Sequence, residues 1–264
     1  MPDLAVLGNL ARDRIDGGAR VGGGPFHAAR GLRRLGSQAT IVTKLADRDL
    51  LPPLVALGLP VEFHDAASQA TFGIVEHGDS REMQVEELGE PWTPDDARGW
   101  VADAVGKAQW LHIAPLLRSD FPAETLAELA RGRRILLDGQ GLVRVSQVGA
   151  LVEDDAYDPE VLRHVAVLKL AEDEARIVLP DLELESIAAL GVPEVLVTFG
   201  SRGSLVFANG TTERVLARPV QSEAVGAGDA FSAAYLASRA AGYAPVAAAQ
   251  RGARLVEALL SEHR

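Results

Sequence analysis

From Thr93 to the end of the chain, short apolar runs sized for strands alternate with segments spaced for helices. No other feature constrains the fold as much. Strands joined through helices run parallel, and a parallel sheet needs cover on both faces. The spacing predicts helices over 93–107, 119–131, 172–179, 184–190, 227–241 and 245–262. Thr93 caps the first of these, with Pro94 suited to its first turn. Strands are predicted at 110–114, 135–137, 165–170 and 195–198. Before Thr93 the chain offers a strand at 4–10, a helix at 26–35 stopped by Gly36, a strand at 39–46 and a short helix at 50–57. Two stretches break the alternation. Residues 71–88 read as two half-exposed strands around a polar turn at 77–80, and 204–208 with 212–216 flank the hairpin turn Asn209-Gly210. The sequence carries no internal repeat, low-complexity tract or linker. The expectation is one α/β domain over 1–264 with a small β flap from about 12–22 and 71–88.

Several chemistries drop out at once. There is no cysteine, so disulfides, thiolate metal sites and Cys nucleophiles are excluded. A net charge of −11 argues against a nucleic-acid partner, yet leaves room for a local site that binds a small anion. The apolar runs fall short of a membrane span and the N-terminus lacks a signal-peptide pattern, so a cytoplasmic protein without a membrane partner is expected. The histidines at 27, 64, 77, 112, 164 and 263 show no metal-binding spacing. There is no P-loop and no Gly-x-Ser-x-Gly elbow, and Gly8-Asn9-Leu10-Ala11-Arg12-Asp13 after the first strand is not a dinucleotide fingerprint. Asn209-Gly210-Thr211 fits a glycosylation sequon but is read as a hairpin turn.

What remains is a set of glycine-rich turns, each at the expected carboxyl end of a strand, the edge where open α/β sheets bind ligands. Asn9, Asp13, Gly22 to Gly24, Gln140, Gly200 to Gly203 and Gly226 to Asp229 would face one crevice. Asn9 and Asp13 are expected in a loop beyond the first strand. At Gly226-Ala227-Gly228-Asp229 a tight turn opens an alanine-rich helix. Free N–H groups and the positive dipole end there form an anion site. An acid beside it is self-defeating unless Asp229 takes a proton while the N–H groups hold developing phosphoryl charge. The alternative is an N-capped helix after a glycine turn, where Asp is common.

Three ordered stretches carry a resemblance. Gly22-Gly23-Gly24-Pro25-Phe26-His27-Ala28-Ala29-Arg30-Gly31-Leu32-Arg33-Arg34-Leu35-Gly36 resembles the N-terminal signature of the ribokinase (PfkB) carbohydrate kinase family. Val225-Gly226-Ala227-Gly228-Asp229-Ala230-Phe231 resembles its C-terminal signature, and Val197-Thr198-Phe199-Gly200-Ser201-Arg202-Gly203 its nucleotide-side strand and turn. The resemblance covers nearly the whole chain. It implies a ribokinase-like three-layer sandwich and ATP-dependent phosphorylation of a hydroxyl on a sugar, cyclitol or nucleoside. Asp229 would be the base, and the N–H groups of Gly226, Ala227 and Gly228 the anion hole. Asp13, with Asn9, Gly23, Gly24, His27, Gln140 and Arg144, falls on the substrate side. Lys169, Thr198, Gly200 and Gly203 fall along the nucleotide, and Glu174 is linked to magnesium through water. The implied cofactors are ATP and Mg2+, with a monovalent cation left open, and the assembly a monomer or homodimer.

The sequence departs from the pattern in places. His27 stands where the family has Asn, and Ala171 where the Asn of Asn-x-x-Glu belongs. Glu223, followed by Ala224-Val225, replaces the common Asp-Thr before Gly-Ala-Gly-Asp. Only eight residues separate Asp13 from Gly22, so the lid hairpin usual there is expected to be reduced. His27 reads equally as a substrate contact or a pocket wall. Arg144, in the stretch Asp138 to Arg144, reads as a substrate contact or a surface arginine. The departures keep a second reading alive, a catalytically weak sugar- or nucleotide-binding sensor on the same scaffold. Retention of both Asp229 and Glu174 favours the kinase.

Overall fold

The computed structural model describes residues 3–15, 17–77, 80–218 and 226–261. The chain begins with strands β1 (Leu4–Asn9), β2 (Ala11–Ile15) and β3 (Gly18–Gly22), then helix α1 (Gly24–Leu35), β4 (Thr40–Leu45) and α2 (Leu51–Val55). Strands β5 (Val61–Asp65), β6 (Thr71–His77) and β7 (Ser80–Glu87) follow, with α3 (Pro94–Arg98), α4 (Trp100–Val105), β8 (Trp110–Ile113), α5 (Ala123–Leu129) and β9 (Arg134–Asp138). Next come α6 (Gln140–Val143), β10 (Gly149–Ala150), β11 (Val167–Ala171), α7 (Glu172–Val178), α8 (Leu184–Ala188) and β12 (Glu194–Thr198). Strands β13 (Ser204–Ala208) and β14 (Thr211–Val215) and helices α9 (Ala227–Ala240) and α10 (Pro245–Ser261) close the chain.

Nine strands form the large sheet in the order β14-β13-β12-β11-β9-β8-β1-β4-β5. The run from β12 to β5 is parallel throughout, and β13 enters antiparallel. Side chains of β1 split between two cores. Ala5 and Leu7 pack with α4, α5, α7 and α8 residues such as Val101, Leu126, Ala175 and Ile187. Leu4 and Val6 pack with α1, α9 and α10 residues such as Leu32, Tyr235 and Ala249. This is the three-layer α/β sandwich expected of continuous apolar strands.

The smaller sheet, β10-β7-β6-β2-β3, sits on the loop after β8 through Leu116 and Leu117, which pack with Ile15, Phe72, Ile74 and Val85. Here the structure corrects the sequence reading. Asp13 lies inside β2 rather than in a loop, and the short interval to Gly22 is spanned by a full hairpin, β2 with β3. The two half-exposed strands at 71–88 are part of a five-stranded sheet. The helix expected over 93–107 is two helices, because Gly99 adopts ψ −116 between them. Thr93 makes a full capping box with Asp96. The helix expected from 119 begins only after Pro122, its N-cap residue, which has an extended ψ of 157.

Candidate active site

The strand order changes direction at β1. The chain moves outward through β4 and β5 on one side, and through β8, β9, β11 and β12 on the other. Such a switch point opens a crevice beyond the strand ends. Two helix N-termini meet there. Helix α1 starts after Gly23, whose φ of 94 few other residues adopt. Helix α9 starts after Gly226, at φ 82, with Asp229 in its first turn. The helices pack closely because Gly31 meets Ala230, where an added Cβ would lie 3.1 Å away. Gly252 of α10 packs on the Phe231 ring in the same manner. That crowding explains why α9 is rich in alanine.

The glycines of these turns make room for protein side chains. A Cβ on Gly24 would meet the Ala114 side chain and lie 2.9 Å from Asp229 Oδ1. One on Gly22 would strike the Asp13 carboxylate, and one on Gly226 the His27 ring. On Gly228 it would lie 3.0 Å from Lys169 Nζ, and on Gly139 2.8 Å from Glu174 Oε2. Gly23 is demanded by its own φ and by Asn9 O, 2.5 Å from an added Cβ, and Gly203 by the Val215 carbonyl. Gly200, at φ 56, has open space around it.

Beneath the first turn of α9 lies a buried charged cluster. His112 Nε2 and Asp138 Oδ2 are 2.6 Å apart, and Ser232 Oγ donates to Asp138 Oδ1 at 2.7 Å. Burial works against the Asp138 charge, but His112, Lys169 and Ser232 overcome it and hold the carboxyl below the usual range. Asp229 goes the other way. Burial and the Asp138 charge push it up to about 6, against His112, Lys169 and Arg144. Burial also disfavours the Lys169 ammonium, yet Glu174, Asp138 and Asp229 raise its pKa above the ordinary value. Burial, with help from Arg30, lowers His27 to about 4, so its ring is neutral at pH 7. Its Nδ1 has no hydrogen-bond partner among the described residues.

Most of the sequence-predicted residues converge. Asp229, Lys169, Gly228 and Glu174 form one group with Arg144, whose charge reaches both Asp229 and Lys169. The Arg144 side chain is only 20% exposed, 3.6 Å from Glu153, so it is not a surface arginine. Gln140 opens α6 beside this group. His27 reaches the start of α9 at Gly226, and Asp13 sits against Gly22, two residues before the Gly24 that faces Asp229. Thr198 donates to the Leu170 carbonyl at 3.3 Å, placing the β12 turn beside the end of β11. Glu174 Oε2 accepts from Ala171 N at 2.7 Å, capping α7. Asn9 donates to Glu90 O at 3.1 Å and accepts from Trp92 Nε1 at 2.8 Å. Glu223, Ala224 and Val225 lie outside the described residues. Sequence reasoning missed His112 and Ser232. Ser232 was discoverable, being three residues past Asp229 on one helix face. His112 was not, because only the pairing of β8 with β9 brings it to Asp138. Among the described residues no group of three or more His, Cys, Asp or Glu side chains could hold a metal, and no helix is long and apolar enough to cross a membrane.

Known proteins share this fold. A pyrophosphate-dependent kinase in the ribokinase family, solved with a pyrophosphate analog and myo-inositol, is 24% identical and superposes with a TM-score of 0.81, covering 96% of this chain and 93% of its own. Adenosine kinase from Sinorhizobium meliloti gives 18% identity and a TM-score of 0.74, over 98% and 94% of the two chains. Ribokinase from Thermotoga maritima gives 16% and 0.70, over 98% and 99%. The family model described as pfkB family carbohydrate kinase matches residues 11–263. With nearly its whole length matched, the chain belongs to the pfkB family of carbohydrate kinases and is a phosphotransferase acting on hydroxyl groups.

Proposed function

We propose that the chain transfers a phosphoryl group to a hydroxyl of a sugar, cyclitol or nucleoside, with Asp229 as the base. The observation that carries this reading is the joint at Gly24, where Asp229 meets the start of α1 while Lys169 meets Gly228 from the other side. A carboxyl raised to about 6 is still ionised at neutral pH and is a stronger base than an ordinary aspartate. The acceptor oxygen bonds to phosphorus as its proton passes to Asp229. The bond from phosphorus to the bridging donor oxygen breaks, and that oxygen leaves with the rest of the donor. N–H groups at the start of α9 and the Lys169 ammonium balance the charge on the group in transit. Asp13, Gly23, Gly24 and His27 line the acceptor side, with Gln140 and Arg144 beside them. Thr198, Gly200 and Gly203 line the donor side. Magnesium, held through water by the free oxygen of Glu174, would neutralise donor phosphate charge. A catalytically weak sensor has no use for base, anion hole and buried cation together. The protein is expected to act in the cytoplasm as one ribokinase-like unit, monomeric or dimeric.

ATP is the donor that the family resemblance implies. A second donor, pyrophosphate, is favoured by the two pyrophosphate-dependent kinases that align with 96% and 98% of this chain. The test is a panel of sugars, cyclitols and nucleosides with magnesium and either donor, read by 31P NMR for a new phosphate ester. One acceptor should be esterified by one donor, and Asp229→Asn should abolish transfer while donor binding stays near wild type. No ester from any acceptor with either donor would overturn the kinase reading in favour of the sensor.

A further inference from the structure

The His112–Asp138–Ser232 cluster has no part in the chemistry proposed above, although it is among the most deeply buried polar groups in the chain. Exposure is 0% for His112, 2% for Asp138 and 0% for Ser232. A carboxylate so buried is retained only when hydrogen bonds and opposite charge compensate it. Asp138 has both, and each comes from a different element. His112 stands on β8, Ser232 on α9 and Lys169 on β11, while Asp138 itself ends β9. The Ser232 bond matters most for function, because Ser232 lies one helical turn after Asp229. It ties the helix that carries the proposed base to the central sheet.

We propose that Asp138, pinned by His112 and Ser232, is a positioning residue that docks the first turn of α9 on the sheet and fixes the charge facing Asp229 and Lys169. The inference rests on the proposed role of Asp229. The groups facing Asp229 are Asp138 from β9, His112 from β8, Lys169 from β11 and Arg144 after α6. From α1, His27 packs on the Gly226 turn and is neutral. Of these, Asp138 is the like charge, and it disfavours ionised Asp229. Burial is the larger cause of the raised pKa and Asp138 adds to it, so without Asp138 the cations would draw the base partway back toward the weaker, ordinary carboxylate.

Three variants and two readouts test this. Asp138→Asn should lower the plateau kcat and move the acid limb of the kcat/KM profile to lower pH, because the charge opposing Asp229 ionisation is gone. A merely structural aspartate would cost stability and leave the limb in place. Ser232→Ala keeps the charge but frees the helix, so kcat should fall several-fold with the limb unmoved. The second readout needs no turnover. The Asp229 carboxyl carbon, assigned by its loss in Asp229→Asn, is titrated by 13C NMR in the wild type and in Asp138→Asn, and its midpoint should drop in the variant. An unchanged midpoint, or Ser232→Ala with wild-type kcat at every pH, overturns the proposal even if phosphoryl transfer is demonstrated. A shifted midpoint without transfer to any acceptor upholds the charge link and sinks the kinase reading instead.

Discussion

The chain buries two lysines near the carboxyl ends of parallel strands, and it treats them in opposite ways. Lys44, on β4, gives its ammonium to Glu90 at 2.9 Å, Asp96 at 2.8 Å and the Pro91 carbonyl at 3.0 Å, with the Trp92 ring 5.7 Å away. All three donors are spent. Lys169, on β11, has more acids around it, namely Glu174, Asp138 and Asp229, yet no described residue accepts a hydrogen bond from it. A satisfied ammonium locks the strand end to the following loop. One held by charge alone retains its donors for a ligand, and phosphate oxygens are the acceptors such a donor fits. Burial is common to both, so burial does not separate structure from function here. Hydrogen-bond satisfaction does.

The largest expected effect is on Lys169. Lys169→Met should lower kcat/KM by about 10²–10³-fold, the usual cost of losing one donor to a developing charge. Its thermal midpoint should fall as well, since buried Asp138 and Asp229 lose a compensating cation. Lys44→Met should cost stability alone. It strands two carboxylates, and because both still reach solvent the loss should be near the low end for a broken buried pair, about 3 kcal/mol. Turnover per folded molecule should stay at the wild-type value. If Lys44→Met slowed turnover per folded molecule as Lys169→Met does, the distinction between the lysines would collapse.

pH separates the regions further. Asp229, raised to about 6, must be ionised to accept a proton, so activity should fall as pH drops through about 6. The Lys44 region responds in a different window. Burial works against Asp96 ionisation, but Lys44, the Thr93 N–H and hydroxyl and Trp100 overcome it and lower the pKa to about 2. A depressed carboxyl stabilises the fold above its unfolded pKa near 4 and loses that contribution as pH falls toward 2. Activity should therefore be lost at a pH where this cluster is intact. An acid limb that tracked unfolding, followed by circular dichroism on the same samples, would show that Asp229 does not set it.

The same contrast explains what could be read from the sequence. Strand–helix alternation, the Thr93 cap and the Asn209-Gly210 turn are local, and apart from the helix split at Gly99 and the one delayed to Pro122 each appears within about two residues of its expected place. The glycine turns were legible as positions, because positive φ at Gly23 and Gly226 is a backbone demand. Their neighbours were not. Which side chain fills the space above Gly226 or Gly228 depends on the crossing of α1, α9 and β11, and sequence spacing carries no information about it. Asn9 is an example. Its place at the end of β1 suggested substrate, and only the fold reveals that a tryptophan 83 residues away donates to its oxygen. The second sheet was underestimated for a related reason: β2, β3 and β10 are short or exposed, and pairing with neighbours rather than an apolar pattern defines them.

Gly228→Ala should have the smallest effect and gives the sharpest test of what Lys169 does. Unlike Gly226, this glycine has no positive φ, so alanine suits the helix and local propensity should improve by up to about 1 kcal/mol. Its new methyl would lie 3.0 Å from Lys169 Nζ and 3.7 Å from Cε. The ammonium ends a flexible chain and can retreat by a few tenths of an ångström, so folding should be untouched. Catalysis should not be. A displacement of 1 Å costs about 100-fold, and a fraction of that should cost roughly 3- to 10-fold in kcat. A variant that is as stable as wild type but slower would place the working position of Lys169 over the first turn of α9. Wild-type kcat would mean that the ammonium does not act from there, and Lys169 would then differ from Lys44 only in how it is paid for by its neighbours' charges.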